Sequence, residues 1–167
     1  MPYATLNTPF GVLTVFEDED ALVALEFGAA GPDDPGDAAT PLLRLARRQL
    51  NEYFDGRRQT FALPLRPRGS AYQQRVWARL LEIPYGRTES YGALSATLGT
   101  APRALAGACA TNPLPILIPC HRAVAARGAL GSYSGGEGVE TKRALLRLEG
   151  AMLSGLDGSR PLAPDRS

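Results

Sequence analysis

Apolar and polar positions alternate through the first part of the chain. Tyr3-Ala4-Thr5-Leu6, Gly11-Val12-Leu13-Thr14-Val15-Phe16 and Leu22-Val23-Ala24-Leu25-Glu26-Phe27 read as three short strands, with Asn7-Thr8-Pro9 and Glu17-Asp18-Glu19-Asp20 as turns. The expected product is a small antiparallel meander. Residues 28–40 are rich in Gly, Ala, Pro and Asp and read as a flexible loop. From Thr40-Pro41 the period becomes helical: Leu42, Leu45, Ala46, Gln49, Leu50 and Phe54 recur at helical spacing until Gly56 stops the pattern. Phe61–Leu65 reads as extended and Arg66-Pro67-Arg68-Gly69 as a linker. The pattern therefore places one domain over residues 1–66 and another over 67–150.

The second segment reads as helical. Ser70 is suited to cap a helix whose apolar face is Tyr72, Val76, Trp77, Leu80 and Leu81, and Pro84-Tyr85-Gly86 breaks it. Ser90 caps a helix from Tyr91 to Leu98, Gly99 turns the chain, and Thr100 is expected to cap the next helix, with Pro102 in its first turn and its end near Ala110. Two short helices across a glycine turn form a helix-turn-helix pattern, which some folds use on DNA and many others use as a plain helical corner. Between Arg103 and Thr111 every side chain is small except Leu105. That composition suits tight helix packing. It equally suits close approach to a narrow groove, with Arg103 as a long cation able to fill the space of an extruded base. Asn112–Pro119 carries three prolines, which exclude a helix and disfavour a central strand, so a stiff extended segment is expected to deliver Cys120 to a fixed place. Glycines around Tyr133 and Ser134 predict a loop that folds back tightly. Val139–Glu149 reads as the last helix, with Leu145 and Leu148 inward and Gly150 as its stop; residues 151–167 read as a disordered tail.

Charge changes this picture little. Eighteen Lys and Arg against seventeen Asp and Glu leave a formal charge of +1, so any nucleic-acid face is local rather than a bulk electrostatic property. Apolar runs such as Leu114–Ile118 fall far short of the ~20 residues of a membrane helix. No basic, then apolar, leader opens the chain, and the expected compartment is the cytoplasm. Two cysteines do not make a disulfide scaffold, and with one histidine and no ligand pairs at zinc spacing no metal site is expected.

The chemistry centres on Cys120. A thiol reacts as thiolate, and its ordinary pKa of about 8.5 leaves it mostly protonated at neutral pH. His121 adjoins Cys120 in sequence and is the one histidine; adjacent side chains usually diverge, so a bridging water is the expected link. A carboxylate should orient the imidazole. Glu149, closing an otherwise apolar helix, is one candidate, and an ordinary exposed helix-end acid is the other reading of it.

The string Pro113-Leu114-Pro115-Ile116-Leu117-Ile118-Pro119-Cys120-His121-Arg122 resembles the active-site signature of the O6-alkylguanine-DNA alkyltransferases (methylated-DNA–protein-cysteine methyltransferases). Ser90-Tyr91, Arg103-Ala104-Leu105, Asn112-Pro113, Gly131-Ser132-Tyr133-Ser134-Gly135-Gly136 and Lys142-Arg143-Ala144-Leu145-Leu146 with Leu148-Glu149-Gly150 follow that family in order, and Thr8-Pro9-Phe10-Gly11 and Gln49-Leu50 more loosely. The resemblance implies an α+β fold: a small RNase H-like antiparallel sheet with a helix, then a winged-helix-like domain carrying the helix-turn-helix. It implies a single, irreversible transfer of an alkyl group from O6-alkylguanine to Cys120, without a cofactor, by a monomer whose partner is double-stranded DNA gripped through the minor groove. His121 would be the base, Glu149 its orienter, and Asn112 the brace of the active-site turn. Tyr91 would help evert the nucleotide and donate to the base, and Arg103 would replace it in the stack. Tyr133 and Ser134 would line the pocket, the Ala123 carbonyl would read the guanine amine, and Arg122 would join the DNA-contacting set. Three other readings compete: a lesion-binding protein without transfer, a cysteine hydrolase, and a plain DNA-binding regulator. The presence of Cys120 opposes the first, the helix-turn-helix with Arg103 the second, and a Cys-His pair beside rigid prolines the third.

Overall fold

The structure is a computed structural model that describes residues 1–29 and 40–151. The loop expected over 28–40 and the tail expected over 151–167 fall almost wholly outside the described residues. Two compact units are present, Met1–Arg68 and Gly69–Ser167.

In the first unit, β1 (Tyr3–Thr8), β2 (Gly11–Asp18) and β3 (Ala21–Phe27) form an antiparallel sheet in the order β1-β2-β3. Period-two patterning puts Ala4 and Leu6 opposite Val15 and Leu13, and all four are buried. The register shifts between Phe16 and Glu17. Glu17 is buried, and its carboxylate accepts the Thr40 hydroxyl. Thr40 in turn caps helix α1 (Pro41–Phe54) by accepting the Leu43 amide at 3.0 Å. The buried face of α1 is Leu43, Ala46, Gln49, Leu50, Tyr53 and Phe54. Leu42 and Leu45, expected inward, are half-exposed. The run Leu42-Leu43 offers two phases, and the sheet selects the one in which Leu43 packs.

In the second unit, Ser70 and Gln73 form a reciprocal capping box at the start of α2 (Ala71–Leu80). Val76, Trp77 and Leu80 are buried, whereas Leu81 lies past the helix end and is exposed, which corrects the expected apolar face. Helices α3 (Tyr91–Leu98) and α4 (Pro102–Ala110) meet across Gly99, which holds the left-handed φ of 68° that the turn requires. The N-cap of α4 is Ala101, not Thr100; it makes no side-chain cap bond, and the Thr100 hydroxyl accepts from Tyr72 instead. The Trp77 indole donates to the Ala108 carbonyl at 2.9 Å, pinning α4 onto α2. Short strands β4 (Glu89–Ser90) and β5 (Ala123–Val124) pair in parallel, and α5 (Val139–Leu148) closes the unit. Its inward residues are Thr141, Lys142, Leu145 and Leu146, with Leu148 only half-buried.

Residues 112–119 do not run extended as expected. The Ile118 amide donates to the Leu114 carbonyl at 2.8 Å, closing a turn in which Ile116 takes φ 75°. Leu114, Ile116, Leu117 and Ile118 are all buried. An extended strand would send alternate side chains outward, so burying the whole run needs a curled backbone.

Replacing Ser70 with Ala removes the side-chain half of the capping box and should lower stability by about 1 kcal/mol. A urea titration showing an unchanged midpoint would contradict the assigned cap.

Candidate active site

Cys120 lies at the start of a 3₁₀ turn, Cys120–Arg122, between the proline-rich turn and β5. Asn112 fixes the approach. Its amide donates to the Ile118 carbonyl at 2.8 Å, and its side-chain oxygen accepts the Leu114 amide at 2.9 Å. The same side chain hydrogen-bonds the Cys120 sulfur in the sense that favours the thiolate. Burial nevertheless dominates and pushes the Cys120 thiol above its ordinary pKa, with the Lys142 charge partly opposing it. The resting group is therefore a thiol that needs a base.

The candidate for that base stands next to it in sequence. His121 is fully buried. Its Nε2 lies 2.7 Å from Glu149 Oε2, while Nδ1 is buried with no hydrogen-bond partner among the described residues. Burial lowers the His121 pKa, against the opposing pull of Glu149, so the ring is neutral. With Nε2–H donated to Glu149, Nδ1 carries the lone pair and can accept a proton. Glu149 is also buried, so the exposed helix-end reading is overturned. Burial alone would raise its pKa, but the hydrogen bond from the neutral His121 ring, then the hydrogen bonds and charge of Arg122, carry it down to about 2. Arg122 donates to Glu149 through Nε at 2.9 Å and Nη2 at 3.0 Å, and to the Ile83 carbonyl through Nη1 at 2.7 Å. The Tyr85 ring lies 5.8 Å from the guanidinium. Arg122 was expected on the DNA face. It is instead an interior clamp, because a planar cation matches the two carboxylate oxygens that burial would otherwise leave uncompensated.

Cys120 opens on a cleft of about 240 Å³, part of it solvent space, lined by Tyr91, Ala106, Cys109, Ala110, Ser132, Tyr133 and Ser134. The small residues of α4 thus form one wall. The Ser134 hydroxyl donates to the Ala110 carbonyl at 3.1 Å, tying the glycine-rich loop to that wall. Gly131 sits at φ 78°, and a Cβ there would lie 2.7 Å from the Tyr91 phenol oxygen, so glycine makes room for the ring. Ala123 does not line the cleft. It is fully buried, and its carbonyl accepts Lys142 Nζ at 2.6 Å, which engages one of the two lone pairs of that oxygen. Arg103 is exposed in the first turn of α4. Among the described residues no three His, Cys, Asp or Glu side chains are grouped to hold a metal ion.

Comparison with known proteins decides what this arrangement belongs to. The family described as 6-O-methylguanine DNA methyltransferase matches through its ribonuclease-like domain over residues 1–67 and its DNA-binding domain over residues 71–151. The chain belongs to the 6-O-methylguanine DNA methyltransferase family. It is 40% identical to the constitutive methylated-DNA–protein-cysteine methyltransferase of Bacillus subtilis, over 88% of this chain and 94% of that protein. A Methanosarcina acetivorans methylated-DNA–protein-cysteine methyltransferase is 37% identical over 90% of this chain and 99% of its own length. The crystal structure of the Mycobacterium tuberculosis O6-methylguanine methyltransferase superposes with a TM-score of 0.77 at 39% identity, covering 89% of this chain and 92% of that one.

One residue of this methyltransferase escaped the sequence reading. Lys142 was noticed within a matching motif and given no task, yet it is wholly buried behind Tyr91. A lysine in an amphipathic helix reads as solvent-facing. The signal available was its position one turn before Leu145 and Leu146, on the inward side.

The depressed pKa of Glu149 means that its contribution to stability is present above the ordinary carboxylate range and is lost as pH falls from about 4.5 towards 2. Glu149→Gln should therefore cost about 3 kcal/mol or more near neutrality. The gap between variant and parent should narrow on acidification through that window; urea titrations across the pH series check this, and a gap that stays constant would contradict it.

Proposed function

We propose that this chain repairs duplex DNA by moving an alkyl group from O6 of guanine onto Cys120, once per molecule. The observation that carries the reading is the joint placement of Cys120 on the cleft and of an unpartnered His121 Nδ1, with Glu149 and Arg122 locking the imidazole behind it. The thiol proton passes to Nδ1 through a bridging water. The thiolate attacks the alkyl carbon, the S–C bond forms and the C–O6 bond breaks, and the electron pair leaves with the guanine. Tyr91, whose phenol is held up at about 12 chiefly by burial and then by the two thiols, stays protonated and donates to the departing base. The thioether has no activated leaving group, which makes the step final.

Inside a duplex the alkyl carbon is enclosed by stacking and pairing, so attack needs the base turned out, at a cost of a few kcal/mol. Helices α3 and α4 present the helix-turn-helix to the minor groove. Arg103 enters the stack, and the small side chains of α4 let the backbone come close. Tyr133 and Ser134 hold the everted base. The chain acts on the duplex as a monomer. Both cysteines are free thiols, as a reducing cytoplasm would keep them. Among the described residues, no helix is long and apolar enough to cross a membrane.

Intact mass after incubation with a duplex containing O6-methylguanine should show one added methyl group, on the Cys120 peptide, reaching a plateau at one equivalent. Cys120→Ser should bind the duplex and gain no methyl group; binding by the parent without any mass change would instead mark a lesion sensor. Arg103→Ala should slow repair of the duplex by about tenfold, the equivalent of about 1.4 kcal/mol of extrusion energy. The free modified base should feel this substitution less, and an equal loss on both substrates would remove Arg103 from base extrusion.

A further inference from the structure

The ion pair of Arg122 and Glu149 is covered by a short piece of chain that the transfer scheme above does not use. After α2 the Ile83 amide still donates to the Leu80 carbonyl at 3.0 Å, but Pro84 ends the helical path. The Arg87 amide then closes a turn onto the Pro84 carbonyl at 3.1 Å, with Gly86 at φ 81°. Three residues of this segment reach the pair. The Ile83 carbonyl accepts Arg122 Nη1 at 2.7 Å, and the Gly86 amide donates to Glu149 Oε1 at 3.4 Å. The Tyr85 ring lies 5.8 Å from the guanidinium, and its phenol donates at 3.3 Å to the carbonyl of Leu148, the residue before Glu149. A Cβ at position 86 would stand 3.2 Å from the Glu149 carbonyl oxygen, so the segment lies directly on the end of α5. A carboxylate offers about four acceptor positions. Those of Glu149 receive His121 Nε2, Arg122 Nε and Nη2, and the Gly86 amide. Tyr85 is half-exposed while Arg122 and Glu149 are buried, so the ring stands between the pair and water.

We infer that Tyr85 is a positioning residue for the transfer: by sealing the Arg122–Glu149 pair from solvent, it keeps the His121 ring neutral and anchored through Nε2. The inference rests on the transfer to Cys120 proposed above. Water beside an ion pair screens its charges and competes for its hydrogen bonds, so the pair stays tight only while it is dry. A guanidinium face is weakly hydrated and stacks on an aromatic ring, which lets a tyrosine cover it without a competing acceptor. The phenol stays uncharged beside the carboxylate, because burial and then the Glu149 charge raise its pKa against the pull of Arg122. Around the imidazole stand Cys120 and Arg122 on the same turn, and Lys142 and Glu149 on α5 and at its end. Tyr133 of the glycine-rich loop, close enough to feel Cys120 and Glu149, is kept uncharged by burial. Burial is the largest influence on His121 and lowers its pKa below the ordinary value. Removing the Tyr85 ring admits water to the pair and, through it, to the imidazole, so the His121 pKa moves back up. The base is then protonated over a wider acid range, and the acid limb of the transfer rate moves to higher pH.

The chain holds one histidine, so a proton NMR titration of the histidine ring in the full chain reads His121 alone and needs no substrate. Tyr85→Leu should raise that midpoint and carry the acid limb of methyl transfer from an O6-methylguanine duplex upward with it. The variant should bind the duplex as the parent does, transfer about fivefold more slowly near about pH 5.5, and approach the parent rate near about pH 8. Tyr85→Phe keeps the ring over the guanidinium and should titrate as the parent does. Tyr85→Met, nearer to tyrosine in length, carries the expectation of the leucine variant if that protein does not fold. A parent protein that takes up no methyl group would sink the reading of the site, and the inference with it. An unmoved His121 midpoint in Tyr85→Leu, with transfer by the parent intact, would overturn the inference alone. So would a rate defect of equal size at every pH, or a phenylalanine variant shifted as far as the leucine one.

Discussion

The buried carboxylate of Glu149 is the interaction on which the active centre depends. It sits at the end of α5, yet it holds two consecutive residues of a distant turn, His121 and Arg122. A lone carboxylate in that position would protonate, and a lone guanidinium would not stay inside. Each is tolerable only because the other is present. Their pairing sets the depth of the 3₁₀ turn and leaves the His121 ring with one nitrogen engaged and the other available. Cys120, the first residue of that turn, is placed by the same pair. The clamp thus converts a structural ion pair into the acid–base direction of the site.

A second constraint acts from the other end of the turn. Asn112 satisfies one backbone donor and one backbone acceptor of the proline-rich segment, which lets four large apolar side chains face inward together. Such a segment would otherwise carry unmet polar groups into the core. Because only Thr111 separates α4 from this segment, the wall of the cleft and Cys120 are positioned by one continuous piece of chain. Trp77 fixes the same helix from behind through the Ala108 carbonyl. The α4 wall of the cleft, made of alanines and Cys109, leaves room beside Cys120, and Gly131 leaves the space that the Tyr91 ring occupies.

Four ionisable side chains around this cleft are moved from their ordinary ranges by the same cause. Burial holds Cys120, Tyr91 and Cys109 in their neutral forms, and it draws Lys142 towards its neutral form. A pocket that resists charge at rest suits a reaction in which charge is created and removed within one encounter. Cys109, raised to about 12, is the less reactive of the two thiols, having neither the Asn112 hydrogen bond nor a neighbouring imidazole.

Much of this molecule was legible along the chain. Period-two alternation marked the three strands, Ser70, Ser90 and Gly99 marked helix ends, and the Pro-Cys-His-Arg string marked the turn that brings Cys120 to the cleft. These are local effects: a pleat, a cap, a turn and a covalent neighbour are all decided within a few residues. The packing phase of α1, the curl of residues 112–119, the true N-cap of α4, the inward placement of Arg122 and the burial of Lys142 were not legible. Each depends on a partner far away in sequence: Glu149 for Arg122, and Ala123, Ser132 and Tyr91 for Lys142. Sequence alone determined which chemistry the chain carries, because reactivity resides in side-chain identity and short spacing. Only the tertiary structure decided which charges are buried and what opposes them, because the free energy of an interior charge depends on surroundings assembled by the whole fold.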